Sequence, residues 1–198
     1  MSLLIESIKL LDGEYYNLSY HERRMNRALK ELCGAQGNFD LEEFLTKGET
    51  PKDGLYKCRI LYDKQSKEIE LIPYQAREIR SLKIVEQDSI SYEFKYTDRR
   101  AIDALFELRM NCDDILIVKG GMVTDSSFAN IVFKRGNNWY TPSTALLKGT
   151  MRSKLLERNI IQEDRIHLKN IYNFEKFKLI NAMLEFDSPE QDLSNIVF

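Results

Sequence analysis

Strand-like and helix-like segments follow one another in this chain without the regular β-α-β alternation that a doubly wound sheet requires. Short runs of alternating apolar and charged residues dominate the first part, which is typical of half-buried strands. A run at 20–34 has helical spacing instead and ends at a glycine. Its apolar stripe consists of Met25, Ala28, Leu29 and Leu32. This mixture predicts an α+β protein with two lobes, residues 1–84 and 85–198.

Further elements follow from local patterns. The run 14–20 continues the strand pattern after a turn at Asp12. Thr97 or Asp98 can cap a helix that starts the second half, and a short helix is expected near 173–177.

Composition excludes several classes of protein. The chain has 29 basic and 31 acidic groups, a net charge of −2, so no field of one sign would attract nucleic acid or an anionic membrane. Only the basic helix at 23–30 supports nucleic-acid binding. We find neither a signal-peptide pattern nor an apolar run long enough to span a bilayer, and expect a cytoplasmic protein. The three cysteines and two histidines form no metal-binding motif, so no metal site is expected.

Four places could carry chemistry. Lys95 precedes a helix, and a lysine in a desolvated cleft can act as a nucleophile. Asp125 stands where an apolar strand stops and could pair with a buried cation. Gly149 and Thr150 precede a helical run whose free N–H groups could bind an anion. Arg24, next to an apolar residue, could hold a phosphate with both guanidinium nitrogens.

Each place also has an ordinary structural interpretation. These are a surface lysine, an Asx turn, simple helix capping and a solvated basic face. Together, however, the four supply what pyridoxal 5'-phosphate (PLP) requires: an amine for a Schiff base, an acid for the ring nitrogen and a cradle for the phosphate.

The motifs HxxRM, KxxDR, VTDSSxxN, TPxxxLLKGTxR and INAM occur in this order. They resemble the class IV, or fold type IV, PLP enzymes. That family includes branched-chain aminotransferases, D-amino acid aminotransferases and 4-amino-4-deoxychorismate lyase. The resemblance implies the D-amino acid aminotransferase-like fold, with the cofactor in a cleft between the lobes, and a homodimer.

The resemblance also implies a role for individual residues. Lys95 is the catalytic lysine that carries PLP and moves a proton at the substrate Cα. Asp125 faces the pyridine nitrogen, where the family usually has glutamate, and Arg24 binds the phosphate. The other implied cofactor-binding residues are Gly149, Thr150 and Met151 in the phosphate loop and Asn181 and Ala182 in a later loop. Arg59 is a candidate for binding the substrate carboxylate.

The substrate implied is a small molecule of amino acid type. We expect an activity like that of 4-amino-4-deoxychorismate lyase, which releases pyruvate and 4-aminobenzoate. A branched-chain or D-amino acid aminotransferase is the alternative. The chain starts near the end of the family's GxFET-like motif, at LLIES, and Thr150-Met151 stands where an apolar residue and threonine are common. These departures leave a non-catalytic family member, a pseudoenzyme or binding module, as a further alternative.

Overall fold

The computed structural model of the protein describes residues 4–35 and 38–198. The chain folds into two compact units. The first comprises the residues up to Ala76 together with Phe94–Asp98, and the second comprises Arg77–Glu93 and Arg99–Phe198. The prediction divides the chain after residue 84. In the structure, residues 77–84 belong to the second unit, and the short segment that carries Lys95 belongs to the first.

An antiparallel sheet, in the order β2-β1-β3-β4, and two helices build the first unit from the described residues. The bounds are β1 Leu4–Leu11, β2 Glu14–Tyr15, α1 Leu18–Cys33, α2 Leu41–Leu45, β3 Leu55–Tyr62 and β4 Lys67–Pro73. Every second residue of β1 is buried, because successive side chains of a strand point to opposite faces. The buried face of β1 and β3 packs against Met25, Ala28 and Leu29 of α1.

A larger sheet forms the core of the second unit. In order along the chain its elements are β5 Leu82–Glu86, α3 Arg100–Phe106, β6 Asp114–Lys119, β7 Met122–Ser126, β8 Asn130–Arg135, β9 Asn138–Pro142, α4 Thr150–Glu157, β10 Gln162–Asp164, β11 Lys176–Ile180, β12 Gln191–Asp192 and β13 Ile196–Val197. Short 3-10 helices span Glu107–Arg109, Leu168–Asn173 and Leu193–Asn195. The main path runs β10-β9-β8-β7-β6-β5-β13, and β11 pairs with β8.

Strands β7 and β8 bring polar residues to one end of this sheet, next to the end of β11. Asp125 of β7 pairs with Asn130 of β8, and Asn130 pairs with Ile180 at the end of β11. The strand β6, which pairs with β7, is buried and apolar over residues 115–118, so this row of residues lies beside a buried strand.

The structure corrects several local predictions in the first unit. The strand expected at 14–20 ends at Tyr15, because Asn17 adopts a left-handed conformation with φ 58° and α1 begins at Leu18. Helix α1 ends before Gly34 as predicted, but Leu32 lies outside the buried stripe and is 41% exposed.

Two helix predictions in the second half are also wrong. The residues 173–177 do not form the expected helix, since the 3-10 helix ends at Asn173 and residues 176 and 177 already belong to strand β11, where Phe177 is fully buried against the sheet. Helix α3 begins at Arg100, so its N-cap is Arg99 rather than Thr97 or Asp98, and the Arg99 side chain makes no capping hydrogen bond. The mixture of helices and strands itself is as the sequence predicts.

Candidate active site

The backbone around Lys95 is fixed within the first unit. The amide of Ile5 donates to the carbonyl oxygen of Lys95 at 2.9 Å, and Leu4 forms an isolated bridge with Tyr96. The amide of Tyr96 donates to the carbonyl of Phe94 at 3.0 Å, which makes Lys95 the centre of a γ-turn. Phe94 and Tyr96 pack against the apolar core of this unit. The half-buried Lys95 therefore projects from a tightly held turn.

A charged network lies beneath the sheet of the same unit. Glu6 occupies a core-facing position of β1 and is fully buried, as is His21 of α1. Arg24 donates from Nε to Glu6 Oε1 at 2.9 Å and from Nη2 to Glu6 Oε2 at 2.5 Å. His21 Nδ1 lies 2.7 Å from Glu6 Oε2. The predicted phosphate ligand Arg24 is thus held by a carboxylate that sequence reasoning missed.

The pKa values of this network follow from its charges. Burial raises the pKa of Glu6, but the charge of Arg24 and the hydrogen bond from His21 outweigh that effect and lower it to about 2. Burial lowers the pKa of His21 despite its contact with Glu6, and the positive charges of Arg24 and Lys95 lower it further. We therefore take His21 as neutral. Its Nδ1 carries the proton, since an ionised carboxylate only accepts.

Asp125 sits in a different environment, in the second unit. It is 5% exposed and accepts a hydrogen bond from Asn130 Nδ2 to Oδ1 at 2.7 Å and one from the amide of Leu147 to Oδ2 at 3.0 Å. Burial raises its pKa to about 6, although these two hydrogen bonds and the charge of Arg152 limit the rise. Arg152 itself donates to the carbonyl of Pro142 at 3.0 Å. Its guanidinium is therefore anchored elsewhere.

Helix α4 begins beside this carboxylate. Its N-cap is Gly149, in an extended conformation, and no side chain caps the first turn. The first N–H groups of an α-helix have no acceptor within the helix, so they can bind an anion. Thr150 and Met151 are both buried, but the Met151 side chain packs in an apolar cluster with Leu155. Met151 could therefore bind a ligand through its backbone but not through its side chain.

The remaining predicted residues lie in two different places. Asn181 follows β11, and its Oδ1 accepts hydrogen bonds from the amides of Met183 and Leu184, both at 2.8 Å. This side chain builds the turn that holds the half-buried Ala182. Arg59 lies on the face of β3 opposite the core, where its Nη1 donates to Glu70 at 2.7 Å.

Two further residues connect the motifs. Asn130 donates not only to Asp125 but also to the carbonyl of Leu147 at 2.8 Å. Arg99 donates from Nη2 to the carbonyl of Ser127 at 2.8 Å, two residues after Asp125. Both side chains belong to sequence motifs that carry the resemblance, and their presence there was the available signal.

The second unit thus brings Asp125, the start of α4 and the 181–184 turn to one end of its sheet. The first unit holds Lys95 and Arg24 around one buried network. The family model for amino-transferase class IV matches residues 3–186. The chain belongs to the class IV aminotransferase family.

Two of the proteins that this chain resembles match it along most of their length. An uncharacterized protein of Haemophilus influenzae is 40% identical over 182 residues, which cover 91% of this chain and 97% of the relative. The crystal structure of a Haemophilus somnus 129PT protein, described as a candidate 4-amino-4-deoxychorismate lyase, has a TM-score of 0.88 at 34% identity. That match covers 94% of this chain and 98% of the other.

A more distant structure shares the fold alone. The PLP-bound form of a hypothetical aminotransferase from Mycobacterium tuberculosis has a TM-score of 0.76 at 13% identity, covering 98% of this chain and 81% of that one. The predicted family and its fold class are therefore confirmed. In this class IV chain, no described helix is both long and apolar enough to cross a bilayer. Within residues 4–35 and 38–198, no three His, Cys, Asp or Glu side chains converge as a metal site would require.

Proposed function

We propose that this class IV protein is a PLP-dependent enzyme that acts on a substrate of amino acid type. The observation that carries the proposal is the set of donors around Asp125. Both carboxylate oxygens accept hydrogen bonds, from Asn130 and from Leu147, yet neither donor is charged. The charge of Arg152 offsets the burial of Asp125 only in part, so this carboxylate could stabilise a further cation. A protonated pyridine nitrogen would be such a cation, so the residues at Asp125 fit PLP.

Other groups of the chain are assigned to the phosphate and to the amine. The start of α4, where the N-cap Gly149 has no side chain, offers backbone N–H groups and the positive end of a helix dipole. Arg24 adds a guanidinium whose orientation is fixed by its two bonds to Glu6. The start of α4 is assigned to the phosphate from its backbone, Arg24 is assigned to it by the family resemblance, and Lys95 is proposed to carry the cofactor on its amine.

Bound PLP supplies an electron-withdrawing ring that stabilises negative charge on the substrate carbon next to the amine. Asp125 holds the proton on the ring nitrogen, which the withdrawal of electrons requires. The amine of Lys95 would take and return the proton at that carbon. Arg59 is proposed to bind the substrate carboxylate, for which a guanidinium is well suited.

For the reaction, we favour one like that of 4-amino-4-deoxychorismate lyase, which yields pyruvate and 4-aminobenzoate. Its support is the 34% identity and 0.88 TM-score with the candidate lyase of Haemophilus somnus. The family description supports an aminotransferase as the alternative, and for it we propose branched-chain or D-amino acids as substrates. By the family resemblance we also propose that the protein is a homodimer. The molar mass measured by light scattering on the purified protein tests this.

Titration of the purified protein with PLP tests the cofactor proposal. We expect a visible absorbance band that is absent in Lys95→Ala and retained in Lys169→Ala, a matched change at an exposed lysine. Absence of the band from the wild-type protein, or its persistence in Lys95→Ala, would refute the role of Lys95. Retention of PLP without turnover of any substrate would favour a non-catalytic family member.

A product assay separates the two reactions. The holoprotein is incubated with 4-amino-4-deoxychorismate, and pyruvate and 4-aminobenzoate are measured. Parallel incubations contain 2-oxoglutarate with leucine, valine or D-alanine, and glutamate is measured. Formation of both lyase products supports the favoured reaction, whereas glutamate formation alone supports the aminotransferase.

A further inference from the structure

Asn130 occupies a central position in the second unit that its sequence motif does not explain. It is the first residue of β8, is 5% exposed, and pairs with Asp125 on one side and with Ile180 on the other. A buried asparagine at the start of a strand must satisfy its carboxamide within the protein. The partners of this carboxamide indicate what it does.

The carboxamide nitrogen of Asn130 closes a ring of hydrogen bonds. Its Nδ2 donates to Asp125 Oδ1 at 2.7 Å and to the carbonyl of Leu147 at 2.8 Å. The amide of the same Leu147 donates to Asp125 Oδ2 at 3.0 Å. The carboxylate, the carboxamide and one peptide group are thereby fixed to each other. A second anchor, from Thr144 Oγ1 to the carbonyl of Val123 at 2.6 Å, ties the same loop to β7.

The carboxamide oxygen of Asn130 explains the glycine at the start of α4. A Cβ built on Gly149 would lie 2.0 Å from Asn130 Oδ1, far closer than two non-bonded heavy atoms can approach. The backbone of Gly149 is extended, with φ −67° and ψ 150°, so any residue could adopt it. The reason for glycine is therefore the carboxamide and not the backbone conformation.

We propose that Asn130 is a positioning residue: its carboxamide joins Asp125 to the loop that leads into α4, so that the two keep one fixed arrangement. This inference rests on the proposed function for its purpose, since it would set the spacing between the groups assigned to the ring nitrogen and to the phosphate. The joint itself belongs to the protein without cofactor. It can therefore be tested separately.

The test uses three variants of the full chain: Asn130→Ala, Gly149→Ala and the double variant. The first removes both donated bonds, and the second forces the carboxamide out of place. The pKa of Asp125 in the apoprotein is measured by carboxyl ¹³C NMR, and PLP affinity by absorbance titration. Asn138→Ala, at an exposed asparagine, is the matched control.

Both single variants should raise the pKa of Asp125 above its value of about 6, because the ionised form loses a hydrogen bond. Both should also weaken PLP binding about tenfold or more. The double variant should bind PLP no more weakly than Asn130→Ala does. In the double variant the added methyl group of residue 149 has no carboxamide to displace. Such a rescue would not follow from two independent losses of stability.

The near-isosteric Asn130→Asp keeps the shape of the side chain should the alanine variant fail to fold. It places a second carboxyl oxygen against Asp125, so one proton should be shared and the pKa raised further. An unchanged pKa of Asp125 in these variants, or additive losses in the double variant, would overturn the inference. A wild-type protein that binds no PLP would refute the proposed function, while the NMR result would still decide whether Asn130 holds Asp125.

Discussion

Replacement of Glu6 by glutamine tests the charged network of the first unit. Glu6 is fully buried, and its pKa is lowered from 4.5 to about 2 by Arg24 and His21. That difference corresponds to about 3 kcal/mol in favour of the ionised form in the folded state. Glu6→Gln would also leave Arg24, which is 15% exposed, without its counter-charge. We therefore expect the variant to lose about 3 kcal/mol of unfolding free energy at neutral pH.

The sign of the pH dependence follows from the lowered pKa. Stability from ionised Glu6 is fully present above its unfolded pKa of 4.5 and is lost as the pH falls towards 2. Urea unfolding, followed by circular dichroism across this range, measures the effect. The difference between wild type and Glu6→Gln should shrink as the pH falls. Glu68→Gln, at an exposed position of the same sheet, is the control. A difference that stays constant with pH would refute the assigned protonation state.

Two further predictions concern the second unit. PLP affinity should fall as the pH drops below about 6, because protonated Asp125 no longer stabilises a protonated ring nitrogen. Absorbance titrations with PLP on either side of that pH measure the change in affinity. The variant Asp125→Asn should show no such dependence on pH. Gly121→Ala should cost about 2 kcal/mol or more, since φ is +72° and the new Cβ would lie 2.8 Å from His167 Nε2. Gly120→Ala, with φ +56° and open space, should cost less in thermal unfolding; equal losses would contradict the steric argument.

Periodicity predicts the parts of the fold that depend on one element at a time. The alternation of β1 and the stripe of α1 are read directly from the sequence, because side-chain direction follows backbone geometry. Positions that depend on a left-handed residue or on a neighbouring strand cannot be read from the periodicity. Asn17 starts α1 early, and the burial of Phe177 makes 176–180 a strand.

The same limit applies to the candidate site. Lys95, Asp125 and Asn130 come from motifs, whereas the contacts that set their environment cannot be read from the sequence. Glu6 contacts His21 and Arg24, which lie 15 and 18 positions later in the sequence. Asn130 contacts Leu147, 17 positions later. Only the folded chain brings these groups together. For the network of Glu6, one signal was available in the sequence. A glutamate at a core-facing position of an alternating strand must have a charged partner.

The two buried carboxyls explain why one of them is suited to a further cation. Glu6 and Asp125 are 0% and 5% exposed, so burial disfavours the charge of both. The pKa of Glu6 nevertheless falls to about 2, because its partner Arg24 is a cation. Burial raises the pKa of Asp125 to about 6, because its hydrogen bonds from a carboxamide and a peptide amide and the charge of Arg152 offset that effect only in part. A cation added beside Glu6 would compete with Arg24. A cation added beside Asp125 would recover up to about 3 kcal/mol of the cost of its burial. This difference in partners is the physical reason for assigning the ring nitrogen to Asp125.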